Sequence, residues 1–400
     1  MMQRKQNVLI VLLLMVIGLA AGAQTIHLPR LTPLDPTVIG QGGSYTAVAE
    51  GYPALFTNPA GFRLGRGSLT LLSTTAWAHA RPDTLLDDAT ALPLDDPSTI
   101  LTMLEHQYEG EGSNEMVGVG ASVGIGWSGG GIGLGLSSTA EVRTLGEGFP
   151  FGITGELQGG FDFVGGISVP LSLLGMDLSI GADVRPIVRI YAPLSSATMA
   201  DVLATLAQSS VNPLPALDSV PTLNGFGLAI DTGAMAALGP MRFGLSIRDL
   251  FGTQVSFAEH SFGEVFESLQ VGGLPRVTSD TVVNNDYRVP MSVSVGTSFH
   301  PDLGPFRHLI DPTIHAELRD IGALFRDDHS IWTRLHVGTQ LRVLHLFRLR
   351  AGLNQGYFTL GAGAKLLFLD VNAAVFTQEL GLASGEKPSA GFSVEAAIRF

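Results

Sequence analysis

The chain has 400 residues, 50 of them glycine against the roughly 7 % usual in proteins, and only 15 % Asp, Glu, Lys and Arg where about 25 % is ordinary. Hydrophobic residues reach 45 % and mean hydropathy is +0.31, yet beyond the first twenty residues no run approaches the roughly 18 uncharged apolar residues of a membrane-crossing helix. A helical membrane protein, collagen and simple disorder are thereby excluded, and the absence of cysteine excludes disulfide scaffolds and Cys-based metal sites.

At the N-terminus, Arg4 and Lys5 precede an apolar stretch from Val8 to Ala20 and then Ala21-Gly22-Ala23. This charged, greasy and small-residue order predicts a secretory signal peptide over residues 1–23, cut after Ala23. Losing Arg4 and Lys5 takes the formal charge from −13 to −15, which excludes nucleic acid as a partner, since phosphate binding requires a basic face. Residues 24–66 follow, too long for a simple tail and rich in Gly, Ala and Pro. They contain Gly40-Gln41-Gly42-Gly43-Ser44-Tyr45-Thr46-Ala47-Val48-Ala49-Glu50 and then Ala54-Leu55-Phe56-Thr57-Asn58-Pro59-Ala60-Gly61-Phe62. Asn before Pro favours an extended Asn at a turn, Pro fixes φ, and Gly61 permits positive φ or close backbone approach.

From about Ser68 onward the chain alternates with period two. Between Ile331 and Val343 the odd positions are Ile331, Thr333, Leu335, Val337, Thr339, Leu341 and Val343, while the even ones include Arg334, His336, Gln340 and Arg342. Phe347, Leu349, Ala351 and Leu353 likewise oppose Arg348, Arg350, Gly352 and Asn354. A helix would mix those faces, whereas a strand between lipid and a polar lumen separates them. The same pattern predicts strands near 68–80, 117–127, 130–143, 151–168, 175–192, 224–236, 240–250, 288–299, 308–320, 331–343, 346–354, 356–367, 369–378 and 389–400. The fold expected is therefore all-β, a 14-stranded antiparallel transmembrane β-barrel over 67–400, because a closed barrel is the non-helical way to satisfy backbone groups in lipid. Long outer loops are expected near 81–116, 193–223 and 251–287. Tight turns are expected at Ser128-Gly129, Leu174, Gly239 and Leu344-His345, and short helices at Asp95–Glu105 and Ser196–Gln208.

Several residues are candidates for a ligand path. Arg185, Arg189, His315, Glu317, Arg319, Arg334, His336, Arg342, Arg348 and Arg350 fall on expected inner faces. Arginines such as Arg334, Arg348 and Arg350 suit a carboxylate ligand, or else pair with inner acids such as Asp183 and Glu317 in a structural ladder. Phe257, Phe262 and Phe266, with Leu101, Met103, Leu104 and Phe251, form a greasy capture surface or pack the loops on one another. Gly159-Gly160 and Gly165-Gly166 interrupt the fourth strand and mark a kink or ordinary curvature.

In the last segment Phe392, Val394, Ala396, Ile398 and Phe400 share a face and end in an aromatic, which resembles the signal read by the outer-membrane barrel assembly machinery. The stretch from Gly40 to Glu50 followed by Asn58-Pro59-Ala60-Gly61 resembles the FadL-like outer-membrane transporter superfamily, including its PorV-type relatives, with Ser44 standing where that pattern has Ala. The resemblance implies that residues 24–66 are a hatch inside the barrel lumen. It also implies residence in the outer membrane of a Gram-negative-type (diderm) bacterium, surrounded by its lipid. The function implied is passive uptake of hydrophobic or amphipathic small molecules such as long-chain fatty acids. A PorV-type relative would instead be a non-transporting scaffold or secretion shuttle binding a protein partner, and a general porin would conduct small ions.

Enzymatic readings are set aside. Gly124-x-Gly126-x-x-Gly129 and Gly126-Trp127-Ser128-Gly129-Gly130 match nucleotide-binding and nucleophile-elbow patterns, but both occupy a strand and hairpin where those motifs need a helix. His300, His308 and His315 lack helical metal spacing, and no cofactor or metal is expected.

Overall fold

The computed structural model describes residues 25–28, 30–65, 67–80, 115–146, 152–173, 176–206, 214–283, 286–325 and 330–400. Among these residues the strands are β1 (Thr25–His27), β2 (Ser68–Ala80), β3 (Glu115–Gly129), β4 (Ile132–Gly146), β5 (Ile153–Leu173), β6 (Met176–Leu194), β7 (Pro221–Leu238), β8 (Met241–Arg248) and β9 (Thr253–Ser261). They continue with β10 (Asp286–Val289), β11 (Ser292–Phe299), β12 (Ile310–Leu318), β13 (Leu335–Val343), β14 (Phe347–Asn354), β15 (Tyr357–Leu366), β16 (Leu369–Glu379) and β17 (Pro388–Arg399).

The wall is a closed antiparallel ring of fourteen strands, β2 to β8 and β11 to β17. β8 pairs with β11, and β17 closes on β2 through partners such as Val394 and Ala76. Alternation explains why these segments are strands. In β17, Phe392 and Val394 point outward at 47 % and 45 % exposure, while Ser393 and Glu395 between them are buried inside. Exposed Val119, Val123, Ile125, Phe163, Ile167, Leu228, Ile230, Val371 and Val375 extend that oily exterior around the ring, the surface a barrel presents to lipid. No helix among the described residues is long and apolar enough to cross a membrane.

Three boundaries differ from the sequence reading. The region 251–287 is not all loop: β9 and β10 lie within it, with a helix at Phe262–Gln270. β9 pairs with the upper part of β7 and β10 pairs with β9, so β8–β9 and β10–β11 are two long strands, each broken once. The breaks are Asp249 to Gly252, where Asp249, Phe251 and Gly252 have positive φ, and Pro290-Met291. Second, Ile331–Arg334 is a 3-10 turn capped by Ser330, and β13 starts only at Leu335. Third, the turn after β3 is Gly130-Gly131, with φ of 63° and 87°, the left-handed pair that a tight hairpin requires. The helix expected near Ser196 runs Ser196–Leu206. The signal peptide and the helix expected at Asp95–Glu105 lie outside the described residues.

Many of the glycines have a packing reason. Wall residues Gly133, Gly181, Gly233, Gly244, Gly338 and Gly352 lie against residues 41–62, where an added Cβ would collide with Phe62, Pro59, Asn58, Thr46, Gln41 and Gly42. At Gly181, Gly244, Gly338 and Gly352 the N-terminal segment and the wall meet backbone to backbone, while Gly133 and Gly233 make room for the Phe62 ring and the Asn58 amide.

Candidate ligand cavity and the lumen network

The segment after β1 is fixed residue by residue to inward-facing side chains. Arg30 donates through Nε and Nη2 to Asp249 Oδ2 at 2.9 and 2.7 Å, and through Nη2 to Pro290 O at 3.1 Å, joining both strand breaks. Asp35 caps the turn Pro36–Ile39 by accepting from Thr37 N at 2.7 Å, with Pro36 supplying a preset φ. The Glu317 carboxylate accepts from Tyr45 N and Thr46 N at 2.7 and 2.8 Å and from Arg319 Nε at 3.2 Å. Arg319 also donates to Gly43 O, His336 Nδ1 donates to Gly42 O at 2.9 Å, and Arg342 pairs with Glu50.

The Asn58-Pro59-Ala60-Gly61 motif is wholly buried. Asn58 has extended φ and ψ of −150° and 110°; its Oδ1 accepts from Ala60 N at 3.1 Å and its Nδ2 donates to Thr46 O at 2.9 Å. One side chain thus starts a 3-10 turn and ties it to the preceding glycine-rich stretch. Ala60 O accepts from Ser168 and Ser179, and Gly61 passes so close to Ala49 O that a side chain could not be accommodated.

Between this segment and the wall lies a cavity of about 300 Å³. Leu34, Val38, Ile39, Tyr45, Tyr52 and Phe56 give it an apolar, aromatic side, with Tyr52 and Phe56 edge to face at 5.4 Å between ring centres. The wall adds the hydroxyls of Ser73, Thr75, Ser122, Ser246, Ser292 and Ser294 and the charges of Arg248, Glu317 and Arg319, and the segment itself adds Arg30 and Asp35. Such a surface suits a compact molecule with an apolar body and a polar head.

Beside the cavity is a buried ionic network. Arg185, 2 % exposed, donates through Nε to Asp231 at 3.1 Å, through Nη1 to Asp162 at 3.2 Å and through Nη2 to Asp249 at 2.9 Å. Arg189 joins at Asp162 and Arg248 at Asp231, while Asp249 N donates to Asp231 Oδ1 at 2.7 Å. Four guanidiniums, counting Arg30, therefore meet the three carboxylates of Asp162, Asp231 and Asp249, so most of the buried charge is compensated.

The residues singled out from sequence are placed as follows. Arg334 belongs to the 3-10 turn beyond the wall, with its Nη1 3.6 Å from Asp320. Arg348 pairs with Asp370 at 2.7 Å, and Arg350 donates to Gln340 and Asn372 at 3.0 and 3.1 Å. None of the three is among the residues lining the cavity. Phe257 is buried with Ile187, Val255 and Val289 and meets Tyr287 edge to face. Phe262 is buried in another cluster with Ile153, Ala192, Leu194 and Met199, and stacks on Phe266 at 6.0 Å. The three rings thus divide between two packing clusters. Gly159, Gly160, Gly165 and Gly166 keep one register with β4, and Gly160 and Gly166 make room for Arg189 and Asp183. Leu101, Met103 and Leu104 lie outside the described residues.

Sequence reasoning missed a Ser, His and acid constellation. Ser389 Oγ and His79 Nδ1 are 2.9 Å apart, and His79 Nε2 lies 3.5 Å from Glu141 Oε1, which also accepts from Trp77 Nε1 at 3.1 Å. Ser389 and His79 are 2 % and 1 % exposed, so no substrate reaches the hydroxyl. The three residues clasp β17, β2 and β4 across the closing seam. Outside the wall, Ser261 and Glu264 form a reciprocal cap on the helix Phe262–Gln270, and the bonds from Ser261 hold the Glu264 carboxyl below its usual range.

No family model and no curated protein matches the chain. Among solved structures, the chain is similar to the toluene transporter TbuX of Ralstonia pickettii, at 11 % identity over 92 % of this chain and 98 % of that one, with a TM-score of 0.47. It is also similar to the toluene transporter TodX of Pseudomonas putida, at 11 % identity over 94 % and 99 %, with a TM-score of 0.46. The translocator domain of the autotransporter NalP from Neisseria meningitidis follows at 11 % identity over 84 % and 89 %, with a TM-score of 0.36. Scores below 0.5 leave family and function to the residues themselves.

Proposed function

We propose that this chain is an outer-membrane barrel through which a hydrophobic or amphipathic small molecule passes by energy-independent diffusion, with residues 24–66 acting as an internal hatch. The observation that carries this reading is the cavity of about 300 Å³ between segment and wall, whose lining mixes apolar and aromatic side chains with hydroxyls and charges. That volume is at the lower end of ligand pockets, so it holds one compact molecule or the head of a longer one, and a whole long-chain fatty acid would extend beyond it. Passage requires the hatch to shift, because it is tied to separate parts of the wall, through Glu317, His336 and Arg342 on β12 and β13 and through Ala60 O to Ser168 and Ser179 on β5 and β6. The strand ending at Phe400 is read as the part presented to the barrel assembly machinery.

The test uses cells whose lipopolysaccharide leaflet slows entry of the apolar dye N-phenyl-1-naphthylamine. Expression of the chain is expected to accelerate dye entry several-fold, and Asn58→Ala, which removes two hydrogen bonds inside the hatch, to accelerate it further. Unchanged entry with both proteins would overturn the reading. The density of ties holding the segment in place favours a second reading, a sealed scaffold barrel of PorV type. It predicts unchanged dye entry together with a protein partner co-purifying on the long loops.

A further inference from the structure

The charged side chains that line the cavity are not equally engaged. Arg30 is paired with Asp249, and Glu317 accepts from Tyr45 N, Thr46 N and Arg319 Nε, so these groups spend their contacts on the protein itself. Arg248 and Asp35 keep capacity to spare. Arg248 is held through Nε alone, 3.2 Å from Asp231 Oδ2, and its Nη1 and Nη2 have no hydrogen-bond partner among the described residues. Asp35 accepts from Thr37 N through Oδ1 and forms no ion pair among the described residues. The ionic network behind Arg248 sets four guanidiniums against three carboxylates. Asp183, the register partner of Asp231, makes no ion pair with any of them, so the positive charge at Arg248 is only partly answered by contact.

The two groups belong to opposite ends of the cavity. Counted round the ring from β2, β8 and β11 are the seventh and eighth strands, half a turn from β17 and β2. On β8, Arg248 is the register partner of Ser292 of β11, and the next inward pair is Ser246 with Ser294. Ser292 and Ser294 line the cavity and their hydroxyls have no partner among the described residues, so a guanidinium and two hydroxyls are open there to an anionic group. Asp35 lies toward the other end. Leu34 O beside it accepts from Ser393 Oγ of β17 at 2.5 Å, and the turn Pro36–Ile39 packs on β15, β16 and β17. Thr75 and Ser122, register partners on β2 and β3, add hydroxyls on that side. The rest of the lining includes Leu34, Val38, Tyr45, Tyr52 and Phe56, which suit an apolar body.

We propose that the cavity selects a bipolar amphiphile, a compact molecule with an anionic group at one end of an apolar body and an ammonium at the other. The molecule lies across the lumen, its anionic group on Arg248, Ser292 and Ser294 and its ammonium on Asp35. This rests on the transport reading above and adds the substrate class. The selection follows from what each rival leaves behind. A purely apolar molecule strips water from Arg248 and Asp35 and returns nothing to either, and a molecule with a single charge satisfies one and leaves the other dry. A bipolar molecule answers both, and a site built to bond a polar group rejects the analogue that lacks it.

The test is calorimetric titration of the purified full-length barrel, in an uncharged sugar detergent at neutral pH, with 8-aminooctanoate, octanoate and octylamine. These probes share one apolar body and differ in which charged ends they carry. The parent is expected to bind 8-aminooctanoate roughly tenfold or more tightly than either singly charged probe. Arg248→Gln is expected to bring 8-aminooctanoate down to the affinity of octylamine, and Asp35→Asn to that of octanoate. Asparagine caps a turn as well as aspartate does, so Asp35→Asn removes the charge and keeps the bond from Thr37 N, and it decides the matter should Arg248→Gln fail to fold. Equal binding of the three probes by the parent, or an unchanged preference in Asp35→Asn, overturns the bipolar class and leaves transport to the dye measurement. Binding of none of the three overturns the bipolar class and also removes the ligand cavity on which the transport reading rests.

Discussion

Strands β5, β6 and β7 run 21, 19 and 18 residues, whereas β12, β13 and β14 run 9, 9 and 8. At roughly 3.3 Å per residue and a tilt of about 40°, the tall side climbs about 53 Å and the low side about 20 to 23 Å, slightly short of the apolar band of about 25 Å. The two sides also hold the lumen by different means. The tall side is built around charge, with Arg185 and Arg189 meeting Asp162, Asp231 and Asp249. On the low side, Gly338, Gly352 and Gly361 let the N-terminal segment lie directly on the wall, and Glu317, His336 and Arg342 fasten it there. Both sides carry the segment, since Gly181 and Gly233 also lie on it and Ala60 O accepts from Ser168 and Ser179, but the tall side adds an ionic network that braces its strands to one another.

The largest effect is expected on the tall side. Arg185→Ala leaves Asp162, Asp231 and Asp249 short of their shared partner in a dry setting and costs about 3–5 kcal/mol, read as a lower unfolding midpoint in detergent. On the low side, Gly338→Val drives a side chain into Gln41 O and costs about 1–3 kcal/mol. The expected readout is protease cleavage within residues 30–65 while the wall stays folded. If Gly338→Val unfolds the whole barrel as Arg185→Ala does, the distinction between the sides fails. The smallest effect lies outside both. Because the Glu264 carboxyl is held below its usual range, its cap on Phe262–Gln270 contributes fully above that range and is lost as pH falls through the depressed value. Protection of the amides in that helix, relative to their intrinsic exchange rates, should therefore fall as the pH is lowered through the acidic range, and Glu264→Gln should remove the dependence.

Most of the wall was legible because lipid on one side and a polar lumen on the other impose period two on every strand, as Phe392, Val394, Ser393 and Glu395 illustrate. The same rule misled at Ile331–Arg334, where four residues continue the alternation into a 3-10 turn that Ser330 starts. The broken strands were hidden because Asp249 to Gly252 has the mixed polarity of a loop, and the pairing of β9 with β7 is a tertiary fact. The glycines of β3, at Gly118, Gly120, Gly124 and Gly126, alternate with outward residues because their inner face receives bulky side chains, His79 and Trp77 of β2 at the first two and Tyr52 and Leu55 of the N-terminal segment at the others. In the sequence two of them read instead as a chance nucleotide-binding pattern. The inward arginines offered a carboxylate site or a ladder, and the pairings of Arg348 and Arg350 have the form of a ladder. The cavity was not legible, because its lining joins the segment around Asp35 and Tyr52 to wall residues as distant as Ser294 and Arg319.

The seam between β17 and β2 has a consequence for biogenesis. Ser73 donates to Glu395 at 2.6 Å across 322 residues of sequence, and Leu69 exchanges backbone bonds with Phe400. The first wall strand to leave the ribosome therefore waits for the last before its edge is satisfied. Contacts of such sequence separation form slowly, so closing the ring is expected to be the late step of folding, with the edge of β2 satisfied only once the last residues of the chain are in place.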